Sequence, residues 1–115
     1  MSESQYQAQH RICRTYGAAF DPPLPGTKVG VAIQTLDRTP LHGVRLRPTE
    51  TTCGWFVHAG DECSDTPDFY QPLCVEHLVE YCQLAIPFLC LPAGWRFTTD
   101  AQGFINVWQD VKIVD

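Results

Sequence analysis

The 115-residue sequence predicts an α+β fold, a small antiparallel sheet of about four strands packed against two principal helices. Three observations carry this. Two segments place apolar residues at helical spacing, four others alternate or concentrate β-branched and aromatic residues, and prolines and glycines punctuate the boundaries between them.

Residues 1–10 are polar and read as a mobile tail, ahead of a folded core over residues 26–113 in a single domain spanning 1–115. Asp21-Pro22-Pro23-Leu24-Pro25-Gly26 is a stiff connector, since proline fixes φ and pushes its predecessor out of the helical region. Beyond it, Val29, Ala32, Ile33 and Leu36 recur at i, i+3, i+4 and i+7, which predicts a helix over 27–37. Leu41 to Arg47 alternates as a half-buried strand would, and Cys53 to Ala59, with Trp55, Phe56 and Val57, is a second strand. The turn at Gly60-Asp61-Glu62 opens an acidic loop.

Pro72 suits a first helical position, and Cys74, Leu78, Tyr81, Cys82 and Ala85 follow at helical spacing, with Glu76, Glu80 and Gln83 on the opposite stripe. Pro87 closes this second helix. Trp95–Thr99 and Phe104–Val114 read as a hairpin turned at Asp100-Ala101-Gln102-Gly103. Its alternation points Ile105, Val107, Val111 and Ile113 to the core. Trp95 and Trp108 are expected to be largely buried, because large aromatics dominate core energetics.

Composition narrows the function classes. The net charge is −5, and the stretch between Pro48 and Trp95 holds seven acids with no lysine or arginine. That balance argues against nucleic acid or an anionic membrane as ligand. No apolar run approaches the roughly 18 residues that span a bilayer, and the N-terminal residues have no apolar signal core, so the chain is expected in the cytosol. In that reducing compartment Cys13, Cys53, Cys63, Cys74, Cys82 and Cys90 are expected to be free thiols serving as small apolar side chains. Cys74, His77 and Cys82 lack the second ligand pair a zinc site needs, so no metal or other cofactor is expected.

Catalytic patterns are equally thin. His77 between Glu76 and Glu80 could be tuned as a base, but no serine lies in a nucleophile motif, and Cys63 sits among carboxylates that disfavour its thiolate. Gly26-Thr27-Lys28-Val29-Gly30 lacks the spacing of a phosphate loop. The residues favour a protein that binds rather than an enzyme. A small Cys/His enzyme and a regulatory binding module are the alternatives.

A set of motifs sharpens this. Gly54-Trp55-Phe56, Ala59-Gly60-Asp61-Glu62, Pro67-Asp68-Phe69, Gln71-Pro72-Leu73, Val75-Glu76-His77-Leu78, Leu91-Pro92-x-Gly94-Trp95-Arg96-Phe97 and Val107-Trp108, in this order over roughly Gly26 to Lys112, resemble the immunity protein 33-like domain of bacterial polymorphic toxin systems. The resemblance implies a cytosolic antitoxin whose partner is a cognate secreted effector, with no catalytic residues to carry over. The sequence departs from the family pattern at Cys74, where histidine is usual, and in its additional cysteines. An anionic middle segment would steer a basic partner such as a nuclease, so Asp61, Glu62, Asp65 and Asp68, with Glu76 and Glu80 beside them, form the expected partner-binding surface. The oligomeric state is left open.

Overall fold

The computed structural model describes residues 2–61, 68–110 and 112. The N-terminal segment departs first from expectation: instead of a loose tail, Glu3–Tyr16 forms helix α1. Ser2 and Gln5 cap it reciprocally, the Ser2 hydroxyl accepting from the Gln5 N–H at 3.2 Å and the Gln5 side chain accepting from the Ser2 N–H at 2.8 Å. Gly17 ends it in the left-handed conformation at φ 70°. Both signals are legible as a capping box and a glycine stop. The buried face hides them, because it contains Gln9 as well as Cys13 and so lacks a plain apolar stripe.

Residues 27–37 are not a helix. Lys28–Val31 forms strand β1, and only Ile33–Thr35 makes a 3-10 turn. Within the strand Val29 and Val31 are fully buried while Lys28 and Gly30 keep some exposure, which is a period of two rather than 3.6. The β-branched content prevails once a partner strand lies alongside. β2 (Leu41–Arg45) and β3 (Thr52–Ala59) form as expected.

The second expected helix is also recast. Gln71–Cys74 is strand β4, followed by a 3-10 turn at Val75–His77, the four-residue helix α2 at Leu78–Tyr81 and a 3-10 segment at Gln83–Phe88 that contains Pro87. The backbone breaks at Cys82, with φ −153° and ψ 82°, and Tyr81 is half exposed, so the apolar spacing of 74–85 does not map onto one continuous helix face. β5 (Trp95–Thr99) and β6 (Ile105–Gln109) complete the hairpin.

The fold class is α+β, but the sheet has six strands in the order β4-β1-β3-β2-β5-β6 and is mixed, not a four-stranded antiparallel one. β1 runs parallel to β3, and every other neighbouring pair is antiparallel. One face receives α1 and the Gln83–Phe88 segment. Phe88 stacks on Phe97 of β5 with ring centroids 4.4 Å apart, and Trp55 meets Phe97 edge-on at 5.5 Å. Gly43 leaves the room for this, since a Cβ there would fall 2.0 Å from the Phe97 ring. Gln9 ties α1 down, donating to the Ile86 carbonyl at 3.0 Å and accepting from the Cys90 thiol at 3.3 Å.

At the centre of this layer lies a charged residue, Arg45, only 2% exposed. Its guanidinium donates to the carbonyls of Cys53 (2.9 Å), Asp21 (2.6 Å), Leu91 (2.8 Å) and, more weakly, Leu89 (3.4 Å). It thereby joins β2 to β3, to the proline-rich connector and to the turn before β5. Burial pulls its pKa down, and Asp21 opposes that shift.

The tryptophans sort differently from expectation. Trp55 is 1% exposed, Trp95 is partly buried at the rim of the core, and Trp108 is 38% exposed. Val107 points inward as predicted, but Ile105 is 44% exposed, because β6 is the last strand and the covering layer does not reach it. Val111 and Ile113 lie outside the described residues.

Candidate functional site

The sheet face opposite α1 carries Phe56 and His58 from β3, His42 and Val44 from β2, Arg96 and Thr98 from β5, and Asn106 and Trp108 from β6. All retain some solvent exposure. Strand alternation puts them there, since their neighbours Trp55, Val57, Gly43, Phe97 and Val107 point into the core.

His42 and His58 sit directly across from each other on β2 and β3, with ring centroids 5.0 Å apart. A hydroxyl orients each ring: Thr98 Oγ1 is 3.0 Å from His42 Nδ1, and the Tyr70 hydroxyl is 3.5 Å from His58 Nδ1. Tyr70 also packs edge-on against Phe56 at 5.2 Å. On the β6 side, Arg96 pairs with Asp110 at 3.1 Å and lies across from Trp108. Between these groups lies an open depression of about 330 Å³ whose rim includes His42, His58, Arg96, Trp108 and Asp61.

Among the described residues, Asp61 is the expected site residue that joins this surface. It is exposed at the end of β3, and Asp68 is exposed where the chain returns toward β4. Glu62 and Asp65 lie outside the described residues. β4 then separates Asp68 from Glu76: Gln71 lies beside Val31 and Cys74 beside Lys28, so Glu76 emerges at the opposite end of the strand, about 13 Å away at roughly 3.3 Å per residue. Glu76 is exposed, but its carboxylate accepts from the Gly26 N–H at 2.6 Å, and that bond holds its pKa below the usual range. It clips the Val75–His77 turn to the connector. Glu80 is exposed on α2.

Cys13, Cys53, Cys82 and Cys90 are buried in the core, Cys74 is part-exposed on β4, and all five are free thiols. Burial raises the pKa of Cys13, Cys53 and Cys82, and pushes Cys90 up to about 12, so these sulfurs stay protonated at neutral pH. Cys63 lies outside the described residues. Among the described residues, no three His, Cys, Asp or Glu side chains converge as metal ligands would. No helix among them is long and apolar enough to cross a membrane.

Burial, and then the charge of His42, lower the pKa of His58. The unfolded chain, with His58 near its ordinary value of about 6.5, therefore takes up a proton before the folded chain does. This contribution makes stability fall as pH drops below about 6.5, and the fall levels off once pH passes below the folded-state pKa. His58→Gln should remove that part of the slope, so chemical denaturation between about pH 5 and pH 8 should show a flatter profile for the variant than for the wild type. Equal slopes would show that the histidine pair does not feel the sheet face as its geometry requires.

No local feature of the sequence marks the two histidines as a pair, since only the pairing register of β2 and β3 sets them opposite one another. Neither a curated protein nor a solved structure matches the chain. The profile of the Imm33-like domain, however, matches residues 8–110, taking in all six strands, most of α1, and both the core and the open sheet face. The chain belongs to the Imm33-like domain family.

Proposed function

We propose that this protein is an immunity protein that binds a cognate secreted toxin in the cytosol of the producing cell and neutralises it without chemistry of its own. The observation that carries this reading is membership of the Imm33-like family across most of the chain. The toxin is proposed to be a basic protein, such as a nuclease delivered by a type VI or comparable secretion system. The acidic surface at Asp61, Glu62, Asp65 and Asp68 would steer it, with Glu76 and Glu80 as a second acidic patch beyond β4. The adjoining sheet face offers what a charged loop lacks: His42, His58, Tyr70 and Trp108 are ring side chains able to make close contact once the partner has arrived.

Division of labour between the two surfaces leads to a kinetic expectation. Rim charges set association rate and salt dependence more than they set dissociation. Reversing Asp61, Glu62, Asp65 and Asp68 to lysine should slow association severalfold and flatten its salt dependence, while the melting temperature stays near wild type. The measurement is surface plasmon resonance against a candidate cognate toxin at several ionic strengths. Unchanged association rate and salt slope would exclude the acidic loop as the steering surface.

A further inference from the structure

The two edges of the sheet are finished differently. At β4, the Val75 N–H donates to the Thr27 carbonyl. Antiparallel alternation then turns Leu73 and Gln71 inward to β1 and leaves Pro72 and Cys74 with outward backbone groups. The outward N–H at Pro72 does not exist, and a proline on an edge is a standard block to further pairing.

Among the described residues, β6 has no such block. The Asp110 N–H donates to the Gly94 carbonyl and the Asp100 N–H to the Phe104 carbonyl, so the even-numbered residues of β6 bond to β5. Ile105, Val107 and Gln109 consequently direct three N–H and three C=O groups away from the sheet. The strand contains no proline and no charge, its pairing with β5 runs without a bulge, and Phe104, Ile105 and Trp108 are exposed along it.

From this edge we infer that the protein self-associates through β6, two copies pairing antiparallel about a twofold axis at Val107 to form one continuous sheet. This register places Val107 opposite its own copy and Ile105 opposite Gln109 twice. It satisfies all the outward N–H and C=O groups of both strands. It also preserves the faces, setting Asn106 opposite Trp108 on the open side.

Charge favours this edge for self-pairing. Copies of a chain with net charge −5 repel in general. Phe104 to Gln109 is uncharged, and the same register sets Asp110 opposite Phe104, so no like charges face each other across the pair. Two short strands and their flanking side chains bury less than the about 800 Å² per partner of a standard interface, which places this contact among weak, concentration-dependent ones.

Sedimentation equilibrium of the purified chain from low-micromolar to about 200 μM tests this without any toxin. The wild type is expected to shift from monomer to dimer with concentration. Ile105→Lys/Gln109→Lys puts like charges directly opposite each other at two exposed positions and should be monomeric throughout, with a near wild-type melting temperature. Gln109→Pro deletes one outward N–H and no bond to β5, and reads the same contact if the double variant is destabilised. A wild type that stays monomeric, or a dimer that survives in both variants, overturns the proposal. So does a monomeric wild type whose toxin binding is lost in the lysine variant, which would assign the edge to a strand of the partner instead.

Discussion

Replacing Arg45 by methionine is expected to cost about 3–5 kcal/mol, because the change strands the buried backbone carbonyls of Cys53 and Leu91, while the Asp21 carbonyl lies nearer the surface where water can reach it. A buried ion pair can be exchanged for apolar residues with little loss when both partners are replaced. Here the acceptors are the main-chain oxygens of Cys53, Asp21 and Leu91, which no mutation removes. Each unsatisfied buried carbonyl costs about 1–3 kcal/mol. Arg45→Lys keeps the charge but replaces a planar fork with three donors on one nitrogen, so it should lose less than methionine yet more than half of one such bond. Urea denaturation of the three proteins checks the order. A methionine variant as stable as wild type would mean that the connector and the Leu89–Leu91 turn do not depend on the guanidinium.

Trp55→Ala should be similarly severe, at about 3–5 kcal/mol, since it empties a fully buried aromatic site and also removes the indole N–H that donates to the Leu89 carbonyl at 2.9 Å. Against a typical domain stability of about 5–15 kcal/mol, either change leaves a protein close to its folding limit. The two residues touch, with the Arg45 guanidinium 5.9 Å from the Trp55 ring centroid, and share the Leu89 carbonyl, so the double variant should lose less than the sum of the singles. Trp108→Ala supplies the contrast. Its ring is over a third exposed on an edge strand, so its removal should lower the melting temperature far less than that of Trp55. If Trp108 proved as costly as Trp55, the open face would have to be a second core.

These two residues show where local and tertiary information part. The β2, β3, β5 and β6 strands, the acidic character of the Asp61 and Asp68 loop, and the family resemblance across the motifs from Gly54 to Trp108 are all local patterns. Alternation, turn residues and ordered motifs are properties of neighbouring residues, so the chain alone determined them. A helix over 27–37 and a single helix over 72–86 were also local inferences, and tertiary structure overrode both. Val29 and Val31 gain more as a buried strand beside β3 than as one face of a helix, and Gln71–Cys74 is drawn out to pair with β1.

Other features have no local signature at all. The alternation of β2 cannot show which face is buried, because a charged residue on the inner face is stable only if distant carbonyls converge on it, as those of Asp21, Cys53 and Leu91 do on Arg45. The His42–His58 pair exists only through strand register, and the exposure of Trp108 only through its place on the last strand. Sequence determined which stretches would extend and where the negative charge would lie. Pairing order and the covering layer decided which face became core, which became surface and which edge was left open, since each depends on contacts between residues far apart in the chain.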